Sequence, residues 1–191
     1  MILRIDHVSL AVRDYEKAST FFQKLLGAVP GVGAGDEKLG FYWKIFSLGD
    51  LSRLEIIAPT AEKSFLEGFL KERDGGVHHI TLQCRDIAEA RAHLERHGIP
   101  YFGYNEYPGG IWKELFIHPR DAFGVLVQLA EFRPDEWLSS EVRFSGETRW
   151  EIKNGRDGIT AAFSHPGGGK MEMRLTGEEA RRLIDDLRAA L

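Results

Sequence analysis

The sequence predicts an α+β fold. Two tandem βαβββ modules share one curved mixed sheet around a metal site, and a small C-terminal βββα extension follows. Three observations carry this prediction. First, the opening stretch IDHVSLAVRD returns as HHITLQCRD, so that His7 matches His79, Arg13-Asp14 matches Arg85-Asp86, Ala18 matches Ala90 and Gly27 matches Gly98. Second, each copy later carries an apolar run broken by one carboxylate or carboxamide. These runs are Arg53-Leu54-Glu55-Ile56-Ile57 and Val125-Leu126-Val127-Gln128-Leu129, and the offsets from His7 to Glu55 and from His79 to Gln128 agree within one residue. Third, the character of the chain changes after Phe132, at Arg133-Pro134-Asp135-Glu136. The expected division is therefore a main unit over 1–132, with modules at 1–60 and 76–132 and a linker helix within 61–75, and an extension over 133–191.

The elements follow in order. Residues 4–12 read as a strand, and Asp14 suits the N-cap of a helix whose apolar stripe is Tyr15, Ala18, Phe22, Leu25 and Leu26. Gly27 stands where a left-handed C-cap is wanted. Residues 41–48 and 53–58 read as strands joined by a Gly49-Asp50 turn. Residues 61–71 suggest a linking helix with Phe65, Phe69 and Leu70 on its apolar side. In the second copy, 78–84 is a strand. Asp86 caps a helix with Glu89 at its third position, Ile87, Ala90 and Leu94 face inward, and Gly98 ends it. Strands follow at 113–118 and 124–130. In the tail, strands around 147–153, 159–164 and 170–175 are separated by an Asn154-Gly155 turn and a Gly167-Gly168-Gly169 loop. Thr176 and Glu179 form a capping box for a last helix presenting Leu183, Ile184, Leu187 and Leu191. A tail this small builds a thin core of its own. It is expected to pack on the main unit or on a second subunit, as in a homodimer.

A chain of 191 residues with 43% hydrophobic content is long enough for a proper core. Net charge is −4 with the signs interleaved, which argues against a nucleic-acid partner. The single cysteine, Cys84, excludes an internal disulfide and reads as a small buried thiol. MILRIDH lacks the apolar core of a signal peptide, and no apolar run approaches the ~20 residues of a membrane span. A cytoplasmic protein without a membrane partner is expected.

Strand alternation lets the paired histidines and the Glu55/Gln128 pair point into one concave face. A pseudo-twofold then gathers His7, Glu55, His79 and Gln128 around one point. Two imidazoles, a carboxylate and an amide oxygen suit one divalent ion, whether zinc, cobalt, nickel, manganese or iron. The alternative is that these are ordinary strand residues with satisfied hydrogen bonds. Burying polar groups at matched offsets without purpose is costly, which favours the metal. His78 competes with His79, and the alignment with His7 favours His79. His93 and His97 read as a solvated pair one helical turn apart, and His118 and His165, each before a proline, read as structural. Arg53 shares the face of Glu55, so it meets either an anionic substrate or solvent at a strand edge. Tyr42, Trp43 and Phe46 form either a substrate-pocket wall or core. Gly109-Gly110 make either a closing loop or a plain turn.

The stretches IDHVSLAVRD, LEIIAP, GVHHITLQCRDI and FIHPRDAFGVLVQLAEF, spread over residues 4–132, resemble the vicinal oxygen chelate (glyoxalase/bleomycin resistance/dioxygenase) superfamily. Within it the chain is most similar to the methylmalonyl-CoA epimerase family, with glyoxalase I-like members next. The resemblance implies metal ligands at the positions of His7, Glu55, His79 and Gln128, and a small-molecule substrate of the acyl-CoA class. Two departures stand out. The last ligand position, usually Glu in those epimerases, is Gln128, while the carboxylate sits on the other half at Glu55. The family's further acid on the strand after the first helix is missing from Gly40-Phe41-Tyr42-Trp43-Lys44-Ile45-Phe46, and Glu114 is the nearest substitute by pseudo-symmetry.

The leading expectation is a metal-dependent isomerase or epimerase that moves a proton next to a carbonyl, with Glu55 and Glu114 as the catalytic carboxylates. The rivals are a glyoxalase I-like lyase, an extradiol or hydroxyphenylpyruvate-type iron dioxygenase using His7, His79 and Glu55, and a non-enzymatic binder. Fold resemblance alone does not choose among them.

Overall fold

The computed structural model describes residues 2–48, 52–132, 149–164 and 170–191. The expected Gly49-Asp50 turn, the boundary at Arg133-Pro134-Asp135-Glu136, His165 and the Gly167-Gly168-Gly169 loop lie outside the described residues. The chain runs β1 (Ile2–Val12), α1 (Tyr15–Ser19) with a following π-helical turn (Thr20–Leu25), β2 (Val29–Asp36), β3 (Phe41–Ser47) and β4 (Arg53–Pro59). After α2 (Leu66–Leu70) come β5 (Gly75–Cys84), α3 (Ile87–Arg96), β6 (Phe102–Glu106), β7 (Trp112–Ile117) and β8 (Leu126–Phe132). The tail holds β9 (Trp150–Gly155), β10 (Gly158–Ser164), β11 (Lys170–Leu175) and α4 (Gly177–Ala190).

The first eight strands form one curled mixed sheet in the order β2-β3-β4-β1-β5-β8-β7-β6. The order is palindromic once each element is exchanged for its repeat. β1 pairs parallel with β4 and β5 parallel with β8, while β1 and β5 meet antiparallel at the centre. Val8 faces Ile80 there, flanked by His7 opposite Thr81 and by Ser9 opposite His79, so the pseudo-twofold passes between Val8 and Ile80.

One face of the sheet is covered by helices. Under α3, Cys84, Ile87, Ala90, Leu94, Leu115 and Leu129 make a closed cluster, each large member stabilising the fold by roughly 1.5–3 kcal/mol through burial. Asp86 caps α3 by accepting from the Glu89 amide at 2.8 Å, and Gly98 ends it at φ +64°. Under α1 the corresponding cluster is Ala28, Phe46, Leu54 and Ile56, joined by Tyr15, Ala18 and Phe22. Here the expected stripe breaks. The π-helical turn carries Leu25 and Leu26 away from the sheet, leaving them 70% and 60% exposed. The linker helix is also shorter than expected. Only Leu66–Leu70 is helical, and Leu66 and Leu70 rather than Phe65 are its buried residues. They close over Ala11 and Ile57 from the other side of the sheet, together with Phe41, Trp43 and Phe69.

The sequence pattern does not locate β2, whose three glycines leave no alternation to read, or β6, a five-residue edge strand that is almost wholly exposed. In the tail, β10 pairs with β9 and β11 in a separate three-stranded sheet. Gly155 faces Gly158, so the hairpin turn is Arg156-Asp157 and not the expected Asn154-Gly155. The capping box of α4 forms as expected, with Thr176 and Glu179 bonded reciprocally.

Candidate metal centre

β1, β4, β5 and β8 each send one residue of the predicted set to the concave face. Their registers fix the arrangement: Ser9 lies beside Glu55 and opposite His79, and Thr81 lies beside Gln128 and opposite His7. His7, Glu55 and His79 are all buried, and their ligand atoms lie within 4.8 Å of one another. His7 Nε2 and His79 Nε2 approach the same Glu55 oxygen, Oε2, at 3.7 and 3.5 Å. Glu55 Oε2 and His79 Nε2 are buried without a hydrogen-bond partner. Buried polar atoms are almost always paired, so two orphaned lone-pair donors facing each other mark a place for a cation. The chemistry of the set agrees: imidazole and carboxylate are ligands of divalent transition metals.

Electrostatics points the same way. Burial pushes the Glu55 carboxyl above its ordinary value, against the opposing influence of His7. Burial, with His7 and His78 nearby, holds His79 well below the usual histidine range, so its ring is neutral and keeps a free lone pair.

Gln128 borders this trio through Thr81. Its Oε1 accepts from Thr81 Oγ1 at 2.5 Å, and the same Oγ1 lies 2.8 Å from His7 Nε2. The Gln128 amide nitrogen donates to Glu114 Oε2 at 2.6 Å. Glu114 is itself buried, and it also accepts from Trp112 Nε1 at 2.7 Å, Tyr107 Oη at 3.2 Å and Asn105 Nδ2 at 3.4 Å. Burial and Glu114 together raise the Tyr107 hydroxyl to about 12, which keeps it a donor.

Each candidate ligand histidine is preceded by a β-bulge. Pairing between β1 and β5 slips at Asp6 and again at His78, so each stands as the extra residue just before its histidine. A bulge re-aims side chains, and here it turns each extra residue toward the ring that follows it. Asp6 Oδ2 lies 2.8 Å from His7 Nδ1, and His78 Nδ1 lies 2.9 Å from His79 Nδ1.

Arg53 does not stand in solvent at a strand edge. It is buried, ion-paired with Asp6 through Nε at 3.1 Å and through Nη2, and lies over the Phe132 ring. Burial disfavours ionised Asp6, but the His7 hydrogen bond and the Arg53 charge outweigh it and hold its pKa below the ordinary value. The predicted pocket wall divides. Trp43 pairs with Ile57 on the concave face and joins the α2 cluster. Phe46 is fully buried on the opposite, helix-covered face, and Tyr42 stacks edge-on against Tyr15 there. Neither lines the site, because β3 alternates and a wall can hold only every second residue. Asp6, Thr81, Trp112 and Tyr107 escaped the sequence reading. Asp6 and Thr81 were reachable, since they flank His7 and His79 in the repeat. Trp112 and Tyr107 were not, because only the fold brings them to Glu114. Cys84 is the buried thiol expected, pushed up to about 11 by burial, and His118 caps the Arg120 amide at 3.2 Å.

Residues 6–115 match the model of the Glyoxalase/Bleomycin resistance protein/Dioxygenase superfamily. An ethylmalonyl-CoA/methylmalonyl-CoA epimerase of Cereibacter sphaeroides is 34% identical over 134 residues, covering 69% of this chain and 99% of the relative. The human mitochondrial methylmalonyl-CoA epimerase is 33% identical over 130 residues, covering 67% and 73%. Among solved structures, a Streptomyces coelicolor methylmalonyl-CoA epimerase in complex with 2-nitronate-propionyl-CoA superposes with a TM-score of 0.63 at 25% identity, covering 69% of this chain and 99% of that one. The chain belongs to the glyoxalase/bleomycin resistance protein/dioxygenase superfamily and is related there to methylmalonyl-CoA epimerases.

Proposed function

We propose that this chain is a metal-dependent epimerase that moves the proton on the carbon next to an acyl thioester carbonyl, with methylmalonyl-CoA as its substrate. The observation that carries the reading is the buried convergence of His7, Glu55 and His79 beside Glu114, in a chain whose relatives are such epimerases. His7, Glu55 and His79, with Gln128 adjoining, would hold one divalent ion. Such an ion acts as a Lewis acid toward a carbonyl oxygen and lowers the cost of charge developing there by several kcal/mol.

The protein's own groups supply the proton transfer. Among the described residues, Glu55 and Glu114 are the buried carboxylates that no arginine neutralises. Burial raises the metal-free Glu55 carboxyl above its ordinary value, and a bound cation would oppose that shift and favour the ionised carboxylate that a base requires. Four donors fix the Glu114 carboxylate in place. In the proposed roles one of these two groups removes the α-proton and the other returns it. Trp43 and Glu114 stand at matching places in the two halves, each on the strand beside the ligand strand and two positions past the Glu55 or Gln128 pairing. The second acid therefore belongs to one module only.

The test is deuterium wash-in at the α-carbon of methylmalonyl-CoA in D2O with metal-loaded protein. Wild type is expected to exchange and epimerise. Glu55→Gln and Glu114→Gln are each expected to lower exchange by about 100-fold or more. His7→Ala and His79→Ala are expected to lose stoichiometric metal by elemental analysis. No label in wild type, with metal bound, sinks the epimerase reading. A second reading, isomerisation of a hemithioacetal by Glu55 acting alone, is supported by a 32% identical Arabidopsis thaliana relative named Glyoxylase I 4. It predicts turnover of that substrate undiminished in Glu114→Gln.

A further inference from the structure

The two candidate ligand histidines are backed by different chemistry at equivalent bulges. His7 is backed by Asp6, a carboxylate clamped by Arg53 and by Arg4 at 2.9 Å. His79 is backed by His78, a second imidazole whose ring packs edge-on against Phe65 at 5.7 Å and Phe69 at 5.1 Å, on the linker. Between two Nδ1 atoms 2.9 Å apart only one proton fits. His79 Nε2 lies 3.5 Å from Glu55 Oε2 without a hydrogen bond and belongs to the set offered to a cation, so under the metal reading it is the atom that keeps a lone pair. A neutral ring with a bare Nε2 carries its proton on Nδ1. That proton then points at His78, whose Nδ1 must accept it.

We infer that His78 is a positioning residue: it accepts the Nδ1 proton of His79 and so fixes the tautomer that presents Nε2 to the site, while the linker rings of Phe65 and Phe69 hold His78 in place. The halves of the site are thus unequal. One histidine leans on a fixed negative charge, the other on a neutral ring set by the segment joining the two repeats. A neutral acceptor adds no second negative charge behind the site. Groups that orient a ligand imidazole through its far nitrogen commonly change metal affinity by 10- to 100-fold when removed.

The inference rests on the proposed metal reading, so the test has an arm that needs no metal. Ring-nitrogen NMR of metal-free, isotope-labelled protein reads the tautomer of His79 directly. Wild type is expected to hold the proton on Nδ1. His78→Phe, which keeps a ring but no acceptor, is expected to move it toward Nε2. His78→Leu repeats the measurement if the larger ring is not accommodated. His78→Asp installs in the second module the acceptor that Asp6 provides in the first, and is expected to restore the Nδ1 proton. In the second arm, Co2+ titration is expected to show about 10- to 100-fold weaker binding in His78→Phe and recovery in His78→Asp. A His79 tautomer unchanged in both His78→Phe and His78→Leu overturns the inference. So does a shifted tautomer with Co2+ affinity within about twofold of wild type. If wild type binds no Co2+, the metal reading fails, and the tautomer comparison by itself decides the role of His78.

Discussion

Arg53 shows how much of a single residue's role the fold decides. On the sequence it is a charged residue at the head of an apolar strand, and both ordinary uses of such a residue, substrate contact or solvent, follow from alternation. The structure spends its charge on Asp6, whose side chain is 1% exposed. What decides between the readings is a bulge at Asp6, which a strand pattern with period two cannot show. Removing the guanidinium leaves a buried carboxylate with only the partly exposed Arg4 and the His7 ring beside it, which is more costly than losing a surface pair. Arg53→Leu is therefore expected to destabilise the protein by about 3–5 kcal/mol in urea unfolding. Asp6→Asn in the same background is expected to return part of that loss, because the under-compensated buried charge goes with it. Additive losses in the double variant would show that Arg53 acts through the Phe132 ring and not through Asp6. By contrast, His7, His79 and Glu55 stood out only as a set, through the matched offsets of the repeat, and Glu114 only by pseudo-symmetry.

At the scale of elements, legibility followed side-chain patterning. α3 was readable to its caps because Asp86, Glu89, Ile87, Ala90, Leu94 and Gly98 all signal the same helix. β2 was silent. Its sequence, VPGVGAGD, offers three glycines and a proline where a strand usually declares itself by β-branched alternation. The structure gives one of those glycines a reason. A Cβ on Gly33 would lie 2.7 Å from the Trp43 carbonyl oxygen and 2.7 Å from Lys44 Cδ, at the place where the β2–β3 register slips. A lysine tail can move aside, whereas a paired backbone carbonyl cannot. Gly35, two residues on, has only the Phe41 carbonyl at 4.0 Å. Gly33→Ala is thus expected to cost about 1–3 kcal/mol by overpacking, and Gly35→Ala to change stability by less than about 1 kcal/mol. Equal effects in thermal unfolding would mean that close approach is not what Gly33 provides.

For the whole molecule, the repeat made the architecture legible. Once His7 maps onto His79, a palindromic sheet with its polar set at the centre is the economical way to bury both copies together. The tail had no repeat to explain it, and its order came only from local signals such as the Thr176-Glu179 box. Its strands pair among themselves, while every residue proposed for the metal centre and for proton transfer lies between His7 and Gln128. Leu183, Ile184 and Leu187 on α4 remain 40–56% exposed, as do Trp150 and Ile152 on β9 at 56% and 53%. Apolar surface left in water stabilises nothing in an isolated chain and favours association. A chain ending at Phe132 separates the two contributions. It keeps all eight strands of the main sheet and both helix-covered clusters, so it is expected to bind one equivalent of divalent metal and to melt within a few degrees of the full chain. Light scattering at matched concentration is expected to show the full chain at twice its monomeric weight and the truncated chain as monomer. Loss of metal from a truncated chain that still melts cooperatively would place part of the site's support in residues 133–191, and the self-sufficient sheet argued above would be wrong.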